Sequence, residues 1–600
     1  MWLSLLTLFL PLVPNILWGS SEVTKQVCLS FTIALQCVEL LYRLIRGEKI
    51  ILFHNRKIVF YFLLLAVSFV ISTLLSQSIY KSFFGSYERM QGLATHLLYF
   101  IWGIFALLSL RNEKIRTAAL TTTFAVGFFS SIMAIDQYIS AATNVSSEIL
   151  TFGIRSFAFM GNPTELGQFL IFPFFAGVFL FINQHKKRTK IFALIGVTTI
   201  LIGLITTANR ASLLGLAVGI GILLITKISN RKIKILSVII LGFSLVAGVA
   251  FMGFNSRSLK SRLLLWPQAI SIIRDAPFFG SGPDTYKELA IPSIQKELYQ
   301  YEKLREIPDR PHNSALEAGA HRGVFGILLY VIPILFLIRI FIQKKSPPLN
   351  AAILASCLLS YFVSVQFGFS LSVHVIFQIL FWALLLFELP NELDKSLQLK
   401  PKFAILPIVA IFVLCALYGV SIINSAQIYE EAIYSFNESS SPIYFANVLT
   451  ASPRYSEMYE VFFELYATRA HEDKNLIPFL EEVEKNYERT FHNELQTLIF
   501  KGSLAAAKND SSDTRLFFEN AVKIAPNWPS LNLFKAKAFR LLGDAAAEKN
   551  ALKEYIELAP PLWHYPVSYG LTPNNETEAE RIFRISNQDF YQALERYSAI

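Results

Sequence analysis

The stretch Arg310–Glu317 (RPHNSALE) carries residue types suited to chemistry at a membrane surface. It lies where a long polar segment meets an apolar run of membrane length, and titratable residues at such a place are usually functional. His312 has an ordinary pKa of about 6.5, which suits proton transfer near neutral pH. A simpler interpretation is that Asn313 or Ser314 only caps the helix that follows.

Two arginines on other segments could bind a phosphorylated substrate. Arg210 lies in the turn Thr206–Ser212 between two apolar runs, and Arg262 lies in the amphipathic segment Ser261–Arg274. Arginine is always charged, and its planar fork of donors matches phosphate oxygens. Each arginine also has an ordinary explanation, because Arg210 could extend to the membrane interface and Arg262 could contact lipid headgroups.

A further polar group is the segment Gly161–Glu165, with Arg155 just before it. Asn162 followed by Pro163 is also a common beginning of a helix, with Asn as the cap and Pro at the first helical position. The sequence offers neither a nucleotide-binding loop nor a metal-binding cysteine pattern. We therefore predict no metal and no other cofactor.

The elements that would position these residues are membrane helices. Of the 600 residues, 53% are hydrophobic and 16% are charged, and the mean hydropathy is +0.45. Ordinary soluble domains contain about 25% charged residues, so this composition excludes a typical soluble enzyme. The net charge of +10 falls mostly in short loops between apolar runs. It therefore reports membrane orientation, and we predict no nucleic-acid partner.

About thirteen apolar runs of roughly 18 to 25 residues are long enough to cross a hydrocarbon core of about 30 Å. We predict spans at about 1–18, 26–45, 57–75, 93–110, 117–140, 164–183, 189–207, 210–227, 233–253, 316–342, 349–366, 369–389 and 402–424. The predicted fold class is therefore all-α, beginning with a polytopic membrane helix bundle.

Basic residues predict how this bundle is oriented. Lys and Arg are concentrated in alternate loops at about 43–57, 111–116, 184–190, 227–234, 344–345 and 395–402. We therefore predict that these loops are cytoplasmic. The segment 254–311 and the chain after about Ser425 would then be extracytoplasmic. Arg210, Arg262 and His312 would lie on that side too, forming a cationic site for a phosphorylated lipid with an acid–base residue beside it.

The chain after Ser425 has the composition of a soluble helical domain. Ala525-Pro526 and Ala559-Pro560 are 34 residues apart, and Phe518 and Leu552 share this offset. Such a period is typical of tetratricopeptide (TPR) hairpins, whose concave surface binds a protein or polymer partner. We predict a transmembrane domain over 1–424, with its extracytoplasmic loop at 254–311, and a TPR-like helical domain over 425–600.

Five stretches resemble motifs of the O-antigen ligase superfamily, which includes lipopolysaccharide O-antigen ligases, Wzy-type polymerases and protein O-oligosaccharyltransferases. They are Gly85–Gly92, Gly161–Pro163, Thr207–Arg210, Arg262–Gly282 and His312–Gly319, within roughly residues 80 to 330. The resemblance implies a membrane glycosyltransferase of the GT-C type that uses glycans linked to undecaprenyl diphosphate. The TPR-like tail resembles that of a common subgroup.

The resemblance also implies roles for the candidate residues. Arg210 and Arg262 would neutralise the donor diphosphate, and His312 would act at the acceptor hydroxyl. The matched stretches and their surroundings contain further residues that we predict to contact the substrates: Arg89, Arg155, Asn162, Asn313 and Glu317. The implied enzyme is metal-independent and inverting. It would lie in the bacterial cytoplasmic membrane and act on a carrier-linked glycan and an acceptor glycolipid, glycan or protein.

The acceptor itself stays open at this point. A lipid A core, a growing glycan and a protein side chain all present hydroxyl groups, so a ligase, a polymerase and a protein oligosaccharyltransferase share the same donor chemistry. A lipid-linked glycan transporter is the alternative from another class, but it would favour midplane charges and internal repeats. The sequence shows neither feature, so we favour the enzyme over the transporter. The presence of Arg210, Arg262 and His312 also favours it over a catalytically silent scaffold.

Overall fold

The structure is a computed structural model of the chain. It describes residues 2–15, 21–142, 155–226, 228, 237, 257–302, 304, 307–342, 347–389, 395–435, 455–558 and 588–600. Within these ranges helices predominate, accompanied by one small sheet. This composition of elements confirms the predicted class, an all-α polytopic membrane protein.

The membrane part consists of fourteen helices in the residues that the structure describes, besides short 3-10 segments. In chain order they are α1 (Ser21–Ile45), α2 (Arg56–Leu74), α3 (Ile79–Phe84), α4 (Leu93–Leu110), α5 (Glu113–Ala142), α6 (Pro163–Asn183), α7 (Lys187–Thr206), α8 (Arg210–Ile225), α9 (Arg257–Asp275), α10 (Tyr286–Ala290), α11 (Ser314–Ile342), α12 (Leu349–Ser364), α13 (Ser372–Glu388) and α14 (Pro401–Ser435). Nine of them are long and apolar enough to cross a membrane: α1, α2, α4, α5, α6, α7, α11, α14, and α12 with the 3-10 turn after it.

The predicted spans can be compared with these helices one by one. The nine long helices and three shorter apolar helices coincide with twelve predicted spans, and the predicted span 233–253 lies outside the described residues. The first predicted span contains a 3-10 helix of only 10 residues, Leu3–Leu12, and α8 has 16 residues. Both are shorter than the roughly 20 residues that a straight α-helical span needs. The predicted number of spans therefore stays a prediction.

A two-stranded antiparallel sheet is a feature that the sequence analysis missed. Strand β1 (Ile50–His54) pairs with β2 (Lys395–Leu399), and Ile50 lies opposite Leu399. Both strands belong to the basic loops that we predicted to be cytoplasmic. The pairing ties the chain after α1 to the chain before α14, although almost 350 residues separate the strands.

The long helix α11 is interrupted two turns after it begins. Arg322 and Gly323 have non-helical backbone angles, with φ of −132° and 64°. The loop Pro277–Gly282 fills the break: the Val324 amide donates to the Pro277 carbonyl at 2.8 Å, and the Gly282 amide donates to the His321 carbonyl at 3.1 Å. Backbone groups freed by the break are thus paired with another segment, as buried backbone groups require.

The C-terminal part forms antiparallel helical hairpins. Its helices are α15 (Ser456–Glu472), α16 (Ile477–Phe491), α17 (Glu494–Ala507), α18 (Ser511–Ile524), α19 (Pro529–Leu541), α20 (Ala545–Leu558) and α21 (Gln588–Ala599). Helices α18 and α20 begin and end 34 residues apart, and Phe518 and Leu552 are buried at matching positions. The helices therefore follow the predicted period, while their assignment to the TPR family stays a prediction.

This helical domain shares its hydrophobic cores with the membrane part. Trp528 and Leu531 belong to one core with Leu265 and Leu298 of the segment before α11. The Asn527 side chain also donates to the Ile294 carbonyl at 2.9 Å. The described residues of the segment 257–304 therefore pack against the helical domain, and removing either would expose apolar surface of the other.

The predicted orientation can be tested by cysteine labelling. The positions Arg274 and Ser511 are exposed on the segment before α11 and on the helical domain. A cysteine at either position, in a background with Cys28 replaced by alanine, should react with a membrane-impermeant maleimide once the outer envelope is opened. The other three cysteines are buried. Reaction only after the inner membrane is permeabilised would contradict the predicted orientation.

Candidate active site

His312 lies in the loop that leads into α11, and the chain around it is tightly held. Its φ of 51° is in the left-handed region, which a non-glycine residue adopts only when its surroundings enforce it. The next residue, Asn313, caps α11, because its Oδ1 accepts from the amides of Ala315 and Leu316 at 3.0 Å. The Asn313 Nδ2 donates to the Gln366 carbonyl at 3.1 Å. The capping interpretation of Asn313 is thus confirmed, and its predicted substrate contact stays a prediction.

Arg310 is the centre of a buried ion-pair network beside His312. Only 2% of its surface is exposed. Its Nη1 donates to Glu317 on the first turn of α11, and its Nη2 donates to Asp284 Oδ1 at 3.1 Å. Both carboxylates are buried too, so the three charges are held together with little access to water. Glu317, predicted as a substrate contact, is therefore seen to anchor the loop that carries His312.

Asp284 connects this network to the stretch Gly85–Gly92. Its Oδ2 accepts from the Ser86 amide at 2.7 Å, the Ser86 hydroxyl at 2.9 Å and the Gln91 amide at 3.3 Å. Gly85 has φ of 87°, and a Cβ there would lie 2.9 Å from the carboxylate. The glycine thus allows the backbone to wrap closely around Asp284.

Arg89, a predicted substrate contact, extends the network toward α6. Its Nε donates to Asp309 Oδ2 at 2.5 Å, and its Nη1 lies 3.7 Å from Glu165 Oε1. Although burial opposes the charged form, Asp309 and Glu165 raise the pKa of Arg89. Burial likewise opposes ionisation of Asp309, yet Arg89 and Arg310 hold its pKa below the ordinary value. The pair is therefore ionised throughout the physiological range.

Phe369, in the connection between α12 and α13, lies at the middle of these groups. The guanidinium of Arg89 lies 4.9 Å from its ring centre, and that of Arg310 lies 5.2 Å from it. The His312 ring is 5.3 Å away, centre to centre. The electron-rich face of an aromatic ring favours nearby cations. Phe369 therefore helps to hold two arginines near the histidine.

The remaining predicted arginines form a chain of mutually repelling cations that ends at His312. Burial first, and then Arg210, lowers the pKa of Arg155. Burial lowers the pKa of Arg262 to about 10, with Arg155 acting in the same direction and Glu302 opposing it. Burial and then Arg262 lower the pKa of His312 to about 4, whereas Asp309 acts in the opposite direction. These effects link Arg210 to Arg155, Arg155 to Arg262 and Arg262 to His312, and we call this series of four residues the cationic cluster.

Local hydrogen bonds fix this cationic cluster. The Arg155 Nε donates to the Thr207 carbonyl at 3.0 Å. Asn209 caps α8, since its Oδ1 accepts from the amides of Ala211 and Ser212, and this cap places Arg210 at the exposed beginning of the helix. Asn162 caps α6 by accepting from the Thr164 amide at 2.8 Å. The alternative interpretation of Asn162 is thus confirmed, and its contact with substrate stays a prediction.

Four residues of this site were not singled out as site residues from the sequence: Asp284, Asp309, Arg310 and Phe369. Arg310 stood in the motif that drew attention first, and Asp284 lies two residues after the matched stretch Arg262–Gly282, so both carried a weak signal. Phe369 is one of 52 phenylalanines, and nothing in the adjacent sequence distinguishes it as a site residue. Asp309 becomes recognisable only when Arg89, 220 residues away, is seen to contact it.

Part of the chain matches a known protein family. Residues 195–331 match a family model described as O-Antigen ligase, and this range contains Arg210, Arg262 and His312. An uncharacterized protein of Haemophilus influenzae is 28% identical over 190 residues, which cover 27% of this chain. The match spans 46% of that relative's length, just under half. No solved structure matches the chain. Together with the apolar helices, this partial match supports a membrane glycosyltransferase-like protein similar to the O-antigen ligase superfamily, with a multi-pass location in the inner membrane.

Proposed function

We propose that the protein transfers a glycan from an undecaprenyl-diphosphate carrier to a hydroxyl group on the extracytoplasmic face of the cytoplasmic membrane. The observation that carries this proposal is the cationic cluster, in which Arg155 is hydrogen-bonded to the turn that carries Arg210, and Arg262 acts on the pKa of His312. Such a cluster suits a phosphorylated lipid, because its anionic group can remain at the surface while its tail lies in the bilayer.

The proposed reaction is a single displacement. The acceptor oxygen attacks the anomeric carbon and passes its proton to a ring nitrogen of neutral His312. The bond between that carbon and the diphosphate oxygen breaks, and its electron pair stays on the diphosphate. Arg210 and Arg262 then stabilise charge that grows toward the transition state, which lowers the barrier more than it strengthens ground-state binding. Asp309 stabilises the imidazolium, and one displacement inverts the anomeric configuration.

The other residues have supporting roles in this mechanism. Arg310 and Glu317 fix the position of the His312 loop, and Arg89 orients Asp309. Arg155 adds positive charge next to Arg210. Guanidinium groups supply the electrophilic assistance, so the proposed reaction requires no divalent metal.

The proposal is tested with purified full-length protein, carrier-linked glycan and acceptors of the three classes. Transfer is expected in the presence of a chelator and without nucleotide, and NMR of the product should show the anomeric configuration opposite to that of the donor. Retention of configuration would contradict the single displacement. Movement of the carrier-linked glycan across vesicles without transfer to any acceptor would favour the transporter.

The pH dependence of transfer follows from the lowered pKa of His312. Only the neutral ring can accept a proton, and burial together with Arg262 keeps the ring neutral down to about pH 4. We therefore expect kcat/KM to fall on the acid side near that pH, well below the ordinary histidine pKa of about 6.5. In Arg262→Gln, the activity that remains should fall at a higher pH than in wild type, because removing this cation raises the pKa of His312. An acid limb near 6.5 that Arg262→Gln does not move would contradict this assignment.

A further inference from the structure

A small polar cavity, with room for about one water molecule, lies between the site and the helical domain. It lies between α3, α10 and the first turn of α15, and its walls include Ser86, Glu88, Lys287, Asp309 and Glu457. Asp309 is the carboxylate that acts on His312, so the cavity reaches the immediate surroundings of the proposed base. The cavity is too small for a sugar ring, but it shows that α15 begins next to the proposed base.

Ion pairs connect this cavity to the beginning of α15. The Lys81 Nζ donates to Glu288, and it lies 3.5 Å from Glu457 Oε1. Burial tends to raise the pKa of Glu457, but Lys81 and Lys287 hold it below the ordinary value. The helical domain thus contributes a charged wall to a cavity that begins beside the proposed catalytic residues.

One face of α15 continues from the cavity. Glu457, Glu460 and Glu464 are spaced by three and four residues, which places them on the same side of an α-helix. Seven residues correspond to about 10 Å along the helix axis, more than the width of one sugar ring. Glu460 lies close enough to Lys287 for the two charges to interact, and Glu464 accepts from Lys537 Nζ at 2.8 Å.

Glu464 also lines a larger groove enclosed by α15, α19, α20 and α21. The groove presents the side chains of Ser530, Phe534, Lys537 and Gln592, and it is bounded by Arg540 and Arg596. Both arginines are fixed by Glu548, which accepts from Arg540 Nε at 2.7 Å and from Arg596 Nε at 2.9 Å. An aromatic ring among amide, hydroxyl and charged groups can stack on a sugar ring and bind its hydroxyls.

We propose that this groove, with Glu464 of α15 on its wall, binds the saccharide chain of a substrate as it extends away from His312. This inference rests on the proposed glycan transfer and deepens it, because it makes the helical domain part of the substrate site. The same saccharide chemistry could come from the acceptor or from the carrier-linked donor. Glu457 lines the small cavity together with Asp309, and Glu464 lies about 10 Å further along α15, so only a chain of several sugars would reach from His312 to the groove.

The experiment compares short and long glycans with full-length protein in detergent. Acceptors with one repeat unit and with several are each assayed at saturating donor, and donors of both lengths are assayed with the short acceptor. Lys537→Ala and Gln592→Ala are expected to raise KM for one of the long substrates about tenfold, the loss expected for one hydrogen bond to a charged or polar group. KM for both short substrates and kcat should not change.

Lys508→Ala is the matched control, since Lys508 also pairs with a glutamate, Glu481, on the exposed surface of the same domain. A raised KM confined to long acceptors assigns the chain to the acceptor, and one confined to long donors assigns it to the donor. The inference would be overturned if Lys537→Ala and Gln592→Ala had the same KM as wild type and Lys508→Ala for short and long acceptors and for short and long donors. That result would leave the transfer function intact.

Failure of the proposed function would look different, because wild-type protein would then transfer no glycan at all. In that case the inference is tested by direct binding of glycans released from the carrier by mild acid, sorted by length. Weaker binding of long glycans to Lys537→Ala and Gln592→Ala than to wild type would support it. Equal binding by all variants would overturn it.

Discussion

Replacing Arg210 or Arg262 with alanine is expected to lower the rate of glycan transfer by on the order of 100-fold or more, as does removal of one preorganised donor from an oxyanion site. Both residues belong to the cationic cluster beside His312, where a departing diphosphate would gain negative charge. The loss should appear in kcat as well as in kcat/KM, since the interaction strengthens toward the transition state. Lysine at either position should restore only part of the rate, because it lacks the planar fork.

Arg274→Ala is the control for general loss of positive charge. Arg274 lies on α9 like Arg262, but its side chain is 78% exposed and contacts Asp275 at 3.7 Å. Its removal should leave the rate within about twofold of wild type, as is usual for an exposed ion pair. If Arg274→Ala lowered the transfer rate as much as Arg262→Ala, the arginines would act by attaching the protein to the membrane surface. Full activity of both Arg210→Ala and Arg262→Ala would refute the donor site.

His312→Ala should abolish transfer while leaving donor binding nearly unchanged, because the proposed work of His312 is on the acceptor proton. Donor affinity can be measured directly with purified carrier-linked glycan, independently of turnover. Loss of donor binding would instead indicate that His312 holds the loop in place. A fully active variant would exclude His312 as the acceptor base.

The membrane helices were predictable because the bilayer imposes a simple rule on the sequence. A run of about 20 apolar residues has few alternatives to a spanning helix, and caps such as Asn162 and Asn209 mark the ends of these runs. The break in α11 could not be predicted in this way. Gly323 reads as an ordinary glycine in an apolar run, and the loop that fills the break comes from residues 277–282.

The candidate site was predictable only in part, for a related reason. Arg210, Arg262 and His312 carry chemistry that is unusual at a lipid boundary, so each can be found alone. Their supports depend on long-range pairing: Arg89 meets Asp309 across 220 residues, and Lys81 meets Glu457 across even more. The pairing of β1 with β2 likewise depends on residues that are far apart in the sequence. The sequence therefore indicated the reacting groups better than the network that holds them.

Arg310→Met is expected to destabilise the protein by about 3–5 kcal/mol, the usual effect of removing one partner from a buried ion pair. Arg310 is 2% exposed and contacts two buried carboxylates, Asp284 and Glu317. Without the guanidinium, each carboxylate must stay charged without its main partner or take up a proton. Thermal unfolding in detergent should show a clearly lower midpoint, and transfer should fall because the His312 loop loses its anchor.

A companion variant separates charge pairing from other effects of the substitution. Adding Asp284→Asn and Glu317→Gln to Arg310→Met leaves no unpaired charge in the network, so this triple variant should recover much of the lost thermal stability. Its transfer rate should stay low, because neutral side chains do not restore the hydrogen bonds from Arg310 to α11 and to Asp284. An unchanged unfolding midpoint for Arg310→Met would mean that the buried ion pairs do not hold the loop. Recovery of transfer together with stability in the triple variant would mean that the network only supports folding.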